Sequence, residues 1–185
     1  MPRVLTDVDA LKALAHPLRQ QLLDHLQRLG PATSAELAVE FGTDRGATSY
    51  HLRQLERYRF IEEDSALSAG RRRFWRAVPQ DLRLPQRAAD PEVAAAADEI
   101  GRLWYTRAER TLATYLRNRD SYGDFALAAQ HSYGHTTLTA AELAQFGEEY
   151  LAFMSRWCRE PDKASPDARA ITVLFNAFPT PQEQP

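Results

Sequence analysis

Cysteine is almost absent from this chain of 185 residues, with Cys158 as its single thiol. One thiol excludes an internal disulfide framework and any zinc cluster built on cysteines. No apolar run approaches the roughly 18 residues that a membrane span needs. The first ten residues lack an apolar core, so we expect no secretory signal, no membrane contact and a cytoplasmic location.

Motifs of the common catalytic classes are also missing. The chain has no phosphate-binding P-loop, no nucleophile elbow, no carboxylate pair at a telling spacing and no zinc motif. We therefore expect a protein that is not an enzyme and that carries no metal and no cofactor.

Positive charge is concentrated in one part of the chain. The formal net charge is -2, but residues 45–76 carry eight arginines against four acidic residues. Residues 80–185 are acidic, with 11 basic and 15 acidic side chains. A basic segment of this size can attract nucleic acid, but it is modest enough that affinity should depend on dimerisation.

Hydrophobic spacing predicts a compact series of elements in the first 79 residues. We expect a helix over about 7–15, capped at Thr6 or Asp7, and a second over about 17–29 with Pro17 in its first turn. A third helix follows Ser34 or its competitor Thr33, with Ser34 preferred, and a turn at 42–44 leads into a fourth helix over about 45–58. A strand from Phe60, a loop at 65–70 and a return strand at 71–78 complete a helix-turn-helix with a wing.

The rest of the chain has a different pattern. Residues 80–91 are proline-rich and predict a linker. Residues 92–185 predict a mainly helical region, with a long helix over 92–118, a second over about 139–158 and a terminal strand over 169–178. The expected fold is mostly α with a small β-hairpin wing, divided into domains at 1–79 and 92–185.

The fourth helix has two chemically different faces. With Thr48, Leu52 and Leu55 as its apolar stripe, Tyr50, Arg53 and their neighbours point the opposite way. Arginine reads guanine or grips phosphate, and hydroxyl groups serve either role. The full set expected to bind DNA, on this helix and the wing, is Arg45, Gly46, Thr48, Ser49, Tyr50, His51, Arg53, Arg57, Arg71, Arg72 and Arg73.

Two positions in this set carry a more detailed expectation. His51 falls at the edge of the buried stripe, and we expect a half-buried histidine bonded to backbone or phosphate rather than a catalyst or metal ligand. The three wing arginines should alternate sides of a strand, and we favour Arg71 and Arg73 for phosphate contact.

Several segments together resemble the ArsR/SmtB type of bacterial winged-helix repressor. They are Leu-Lys-Ala-Leu-Ala-His-Pro-Leu-Arg at 11–19, Glu-Leu-Ala at 36–38, Thr-Ser-Tyr-His-Leu-Arg-Gln-Leu at 48–55 and Gly-Arg-Arg-Arg at 70–73. The resemblance covers about residues 7–78. It implies a homodimer that binds operator DNA and releases it on sensing a ligand.

Three departures from that family qualify the resemblance. The metal-sensing members carry Cys-x-Cys on the helix that here contains Glu36 to Glu40, so a thiolate site cannot exist there. Arg59 stands where the family usually has glycine, which should cost about 1 kcal/mol if the left-handed backbone is kept. About a hundred residues follow the wing, and the family does not explain them.

The C-terminal region leaves several alternatives open. The stripe of its long helix predicts either a dimer seam or packing on its own domain. Its many aromatic residues form either a core or an apolar pocket for a small effector. His131 and His135 have the spacing of two helical metal ligands, but Gly134 argues against a helix there. Cys158 lies between arginines and is either a redox-sensitive thiol or a buried, inert one.

The sequence thus predicts a sequence-specific DNA-binding transcriptional regulator, most simply a dimeric repressor released by an unknown signal. The alternative is a winged-helix module that docks on another protein without binding an operator. The arginine-bearing face favours DNA over protein. The effector, the operator and the regulated genes are not predicted by the sequence.

Overall fold

The computed structural model describes residues 2–70, 72–85, 87–157 and 165–181. Arg71 and Cys158, which figure in the sequence predictions, lie outside the described residues. The described chain forms two compact units. We call residues 2–107 with 165–170 the winged-helix unit, and residues 108–157 with 171–181 the C-terminal unit, and describe each by itself.

The winged-helix unit contains five strands and four complete helices among its described residues, followed by the first part of a long helix. In chain order the elements are β1 (Pro2–Val4), α1 (Val8–Leu14), α2 (Pro17–Leu29), β2 (Ala32–Thr33), α3 (Ser34–Glu40), α4 (Arg45–Arg57), β3 (Ile61–Glu63), β4 (Phe74–Ala77), β5 (Asp81–Arg83) and α5 (Pro91–Asn118). The predicted fold class, mostly helical with a small wing, is confirmed.

The wing is an antiparallel sheet in the order β2-β4-β3. Ile61 lies opposite Ala77 and Glu63 lies opposite Trp75. Trp75 is buried, so the central strand of the wing is anchored in the core. The hairpin is therefore held against the helices of the winged-helix unit, including α4.

One apolar core holds this unit together. Leucines of α1 to α4 meet there, among them Leu11, Leu22, Leu37, Leu52 and Leu55, each with 0% exposure. The first turns of α5 join the same core through Val93, Ala96, Ala97 and Ile100. Each fully buried leucine contributes about 1.5–3 kcal/mol relative to an exposed one, so the core fixes where α4 lies.

The segment predicted as a linker contains a strand. β5 pairs in parallel with β1, with Arg3 opposite Leu82, and Leu5 N donates to the carbonyl of Arg83 at 2.9 Å. Both strands are three residues long. The linker prediction was wrong because neither segment is long enough to show an alternating pattern.

The cap of α3 is Thr33, and the preference for Ser34 was wrong. The Thr33 hydroxyl accepts from Glu36 N at 3.3 Å, and the Glu36 carboxylate accepts from Thr33 N at 2.8 Å. This reciprocal capping box satisfies donors at both positions, which Ser34 could not do one residue further along. The cap of α1 is Asp7, which accepts from Asp9 N at 3.1 Å.

The C-terminal unit is built from the remainder of α5, a 3-10 turn at Arg119–Tyr122, α6 (Asp124–Ala128) and α7 (Ala140–Ser155). The strand predicted over 169–178 was wrong, since the described residues 165–181 form no strand. Phe175 of that segment instead stacks on Tyr150 of α7, with ring centroids 3.7 Å apart. None of the described residues of this unit is buried.

In the part of the chain that the structure describes, every helix is too short or too polar to cross a membrane.

Candidate nucleic-acid interface

The recognition helix α4 begins at a carboxylate cap. Asp44 Oδ1 accepts from Gly46 N at 2.7 Å and from Ala47 N at 3.0 Å. A Cβ placed on Gly46 would lie 2.9 Å from the same oxygen. Gly46 was expected to belong to the DNA-binding set, where a glycine allows close approach of the backbone. The structure adds a second reason, because a side chain there would displace the cap.

Thr48 is a buried positioning residue in this structure. It is 0% exposed. Its hydroxyl donates to the carbonyl of Asp44 at 3.0 Å and lies 2.8 Å from the Thr43 hydroxyl. The expectation that Thr48 contacts DNA was wrong, because its side chain belongs to the buried stripe that packs α4 on the core.

The opposite face of α4 is open. Arg45, Gly46, Tyr50, Arg53 and Arg57 are exposed. Ser49 is half-buried beside them. This is the orientation predicted from Thr48, Leu52 and Leu55, all three of which are buried.

Two of these arginines are partly ordered by their own helix. Arg53 Nε donates to the carbonyl of Ser49 at 3.2 Å. The Arg57 guanidinium lies over the Tyr58 ring at 5.5 Å from its centroid. Both contacts are local and exposed, so they direct the side chains outward while leaving donors available for a base edge or a phosphate.

A left-handed residue ends α4, as predicted. Arg59 has φ of 56°, and Phe60 N donates back to the carbonyl of Leu55 at 3.0 Å. The Arg59 carbonyl accepts from Gln80 Nε2 at 2.8 Å, which fixes this tight connection to β3. An arginine in this conformation costs about 1 kcal/mol relative to glycine.

Two of the wing arginines, Arg72 and Arg73, are paired with carboxylates of their own unit. Arg72 lies 2.9 Å from Glu36, and Arg73 lies 3.5 Å from Glu63. Arg72 and Arg73 were expected to lie on the return strand, but β4 begins only at Phe74. Both side chains are 65% exposed. Exposed pairs of this kind contribute at most about 1 kcal/mol, so a phosphate can replace either carboxylate.

Glu36 connects the wing to α3. One carboxylate oxygen accepts from the amide and hydroxyl of Thr33, each at 2.8 Å, and the other accepts from Arg72. The backbone amide of Thr33, then its hydroxyl and then Arg72 hold the pKa of Glu36 below its usual value. The sequence analysis named Thr33 only as the competing cap, and it did not indicate the contact with Arg72, because Glu36 and Arg72 are far apart along the chain.

His51 turns away from the exposed face toward the start of α2. Its ring lies 4.4 Å from the His16 ring, centroid to centroid, and its Nδ1 lies 3.4 Å from Arg19 Nη1. The half-buried state was predicted, and the contacts of the ring include the side chains of His16 and Arg19. His16 was recognised in the sequence only as the residue before Pro17, so nothing there indicated this contact.

Polar contacts fasten the first part of α5 to α2. Trp104 Nε1 donates to Gln20 Oε1 at 3.0 Å, and Gln20 Nε2 donates to the carbonyl of Leu14 at 2.9 Å. Arg107 forms an ion pair with Asp24. Residues 93–107 of the long helix therefore pack on the winged-helix unit, a contact that neither alternative for this helix included. This compact unit extends well past the boundary expected at residue 79.

The histidines of the C-terminal unit contact aromatic rings. His131 lies 6.1 Å from the Tyr115 ring and His135 lies 5.0 Å from the Tyr133 ring. Within the described ranges, no three potential metal-ligating side chains come together.

A polar, arginine-bearing helix presented by a helix-turn-helix and flanked by a basic hairpin defines the winged helix-turn-helix class of protein. Residues 14–64 match the family model described as a helix-turn-helix domain. The match is confined to this segment, and it agrees with the ArsR-like winged-helix resemblance drawn from the sequence.

Three solved structures show similarity. Reduced HlyU from Vibrio cholerae is 24% identical, with 52% of this chain and 86% of that chain covered and a TM-score of 0.34. A possible transcriptional regulator for arsenical resistance is 26% identical, with coverage of 57% and 95% and a TM-score of 0.34. Lactococcus lactis ZitR in complex with DNA is 16% identical, with coverage of 77% and 75% and a TM-score of 0.34. No curated protein matches the chain.

Proposed function

We propose that this protein is a sequence-specific DNA-binding transcriptional regulator that acts as a dimeric repressor. The observation that carries the proposal is the exposed face of α4, where Tyr50, Arg53 and Arg57 project from a helix whose other face is locked in the core. α4 reads bases in the major groove, Arg45 holds a phosphate at the helix N-terminus, and the wing arginines grip the flanking backbone.

The salt dependence of DNA binding tests this proposal. A duplex is first selected from random sequence with the protein, and its affinity is then measured by fluorescence anisotropy at increasing salt. Several phosphate contacts from each of two subunits predict a loss on the order of 10³-fold between 50 and 200 mM salt. A protein-docking module predicts no enriched duplex and a flat salt response.

The dimer follows from a geometric need and an exposed surface. One winged helix reads only half of a palindromic site, so two copies related by a two-fold axis match two half-sites. Ile100 belongs to the stripe proposed as a dimer seam, but it is buried within the winged-helix unit. Leu112 and Leu116 lie one helical turn apart later on α5, and each is 45% exposed. This narrows the proposed seam to the later part of α5.

Sedimentation checks the seam. The wild type should have about twice the 21.0 kDa mass of one chain. The double variant Leu112→Glu/Leu116→Glu should sediment as a monomer, since it places carboxylates in an apolar contact. Leu29→Glu is the matched control, because Leu29 is 65% exposed at the end of α2. A wild-type monomer that binds the selected duplex fully contradicts the dimer.

We propose that release from DNA depends on the C-terminal region and not on thiolates of α3, which has no cysteine. A small apolar effector is the proposed signal. Tyr150 and Phe175 stack on one another, so an effector would enter by separating such ring pairs. Adding arsenite or cadmium to the DNA complex should leave it intact. Stoichiometric release by either ion contradicts this route.

A further inference from the structure

Two histidines meet behind the recognition helix. His16 is the N-cap of α2, immediately before Pro17, and His51 lies on the side of α4 that faces it. Their ring centroids are 4.4 Å apart and the ring planes are inclined by 39°. This contact joins the α1–α2 junction to the helix whose other face we assign to DNA.

Hydrogen bonding fixes the protonation state of both rings. His16 Nδ1 accepts from the amide of Leu18 at 3.2 Å, and His51 Nδ1 faces Arg19 Nη1 at 3.4 Å. An amide nitrogen and a guanidinium can only donate, so each Nδ1 must carry a lone pair. Both contacts therefore require neutral rings, with the protons on Nε2.

Arg19 is held in place beside the pair. Its Nη2 donates to the carbonyl of Lys12 at 2.8 Å, and its Nε donates to the carbonyl of Ala13. The guanidinium thus stays close to His51 whatever the charge of the rings. A proton on His51 would add a positive charge a few ångströms from this fixed one, and a proton on His16 Nδ1 would break the cap of α2.

The charged and titratable groups around the pair do not offset such a proton. α2 presents Arg19, α4 presents the Tyr50 ring at 5.2 Å from His51, and α1 presents only backbone carbonyls. The Lys12 ammonium is paired with Glu92 at 2.6 Å. Among the described residues, the structure records no carboxylate bonded to either imidazole.

Burial and positive charge act in the same direction on both rings. Burial and then Arg19 lower the pKa of His16 below its usual 6.5. Burial, then His16 and then Arg19 lower the pKa of His51. Because the folded-state values are lowered, the unfolded chain takes up protons first on acidification. The stabilisation from the neutral pair is complete above pH about 6.5 and is lost as the pH falls toward the lowered values.

We propose that His16, Arg19 and His51 form a pH-sensitive latch that seats α4 only while both rings are neutral, so that mild acid weakens operator binding. The latch rests on the proposed DNA-binding function. His16, Arg19 and His51 act as positioning residues, since they hold the helix from behind rather than touching the groove. The direction in which DNA affinity changes with pH distinguishes this latch from direct contact with phosphate. Phosphates near a titrating histidine favour its protonated form and would strengthen binding in acid.

The test compares one duplex at two pH values. The probe is the duplex selected from random sequence with the wild-type protein at pH about 7.5. Wild-type affinity should fall several-fold at pH about 5.5 at constant salt. In the double variant His16→Asn/His51→Asn, the two side-chain amide oxygens replace the Nδ1 acceptors and do not titrate. The affinities of this variant at the two pH values should therefore be nearly equal.

The control is His25→Asn. His25 lies on α2 with its ring against Phe41 at 5.8 Å, outside the pair, and this variant should keep the wild-type ratio. A wild type that binds equally or more tightly in acid overturns the latch, and so does a double variant that keeps the wild-type loss.

Amide hydrogen exchange separates this inference from the proposed function. If selection enriches no duplex, the DNA-binding function fails, but exchange of the α4 amides still decides the latch. Protection of α4 should fall between pH about 7 and about 5.5, after correction for intrinsic exchange, in the wild type and not in His16→Asn/His51→Asn. Equal protection profiles for the two proteins overturn it.

Discussion

The two units of this protein use the same local helix signals but differ in what they bury. α3 and α7 each begin with a reciprocal Thr–Glu capping box, at Thr33–Glu36 and Thr139–Glu142. α3 then buries Leu37 and Ala38, whereas α7 has no buried residue. Good capping therefore specifies where a helix starts, and it does not by itself provide a core.

The apolar residues of the C-terminal unit are exposed rather than few. Its exposed large hydrophobic residues are Leu112, Leu116, Leu127, Tyr133, Leu138, Phe146, Phe153, Trp157, Ile171, Val173, Leu174 and Phe178. A single chain does not cover such a surface, and large apolar patches are typical of sites that contact a partner. The winged-helix unit therefore holds the buried core of the described chain, and the exposed apolar residues of the C-terminal unit agree with the proposed association.

The largest expected difference between the units concerns leucine truncation. Leu52→Ala removes a side chain of 0% exposure and should lower the free energy of unfolding by about 2–5 kcal/mol. Leu127→Ala removes one of 84% exposure and should change it by less than about 0.5 kcal/mol. Urea unfolding monitored by circular dichroism measures both. Equal losses would show that the C-terminal unit has a core of its own.

Removal of the two capping boxes should have a smaller effect on stability than truncation of a buried leucine. Thr33→Ala should lower the stability of the winged-helix unit by about 1 kcal/mol, since α3 packs on the core. Thr139→Ala removes the same two contacts and should increase amide exchange in α7 only, with an unchanged unfolding midpoint. Equal shifts of the midpoint for the two variants would mean that both units unfold together.

Acid should weaken both capping boxes, and in each case stability falls as the pH is lowered. Hydrogen bonds from Thr33 and Thr139 lower the pKa of Glu36 and Glu142 below the usual 4.5. Each contribution is therefore complete above that value and is lost as the pH falls through the lowered folded-state pKa. The window lies below that of the histidine latch, so the two effects separate in a pH titration.

The smallest expected effect concerns the end of α4. Arg59→Gly relieves a left-handed arginine and should raise the free energy of unfolding by a few tenths to about 1 kcal/mol, because the added flexibility of the unfolded chain offsets part of the gain. Arg57→Gly is the matched change inside the helix and should lower it by about 1 kcal/mol. A loss of stability in Arg59→Gly would show that the arginine side chain matters more than the backbone strain.

The helices of the winged-helix unit were predictable because their signals are local. The buried stripe Thr48–Leu52–Leu55 repeats at helical spacing, whereas the left-handed backbone at Arg59 was implied by the family resemblance. Contacts between distant segments were not predictable in this way. β1 and β5 are three residues each, and Glu36–Arg72 and His16–His51 join side chains that are 36 and 35 positions apart.

The terminal strand is an element that was predicted from the sequence but does not form. Residues 169–178 contain the β-branched and aromatic side chains that are typical of strands, but such residues form a strand only where a neighbouring strand is available for pairing. In the structure Phe175 packs on Tyr150 and Phe146 of α7 instead. The apolar side chains of this segment were interpreted as a β-strand, and that prediction was wrong.

The central claim is that the exposed face of α4 reads base sequence, and Arg53 tests it most directly. Affinities for the selected duplex and its single-base variants should be measured for the wild type, for Arg53→Ala and for Arg110→Ala, which removes another exposed arginine, on α5. We predict that Arg53→Ala costs about 1–3 kcal/mol and flattens the preference at one position of each half-site, while Arg110→Ala keeps it. An unchanged base preference in Arg53→Ala would contradict the account.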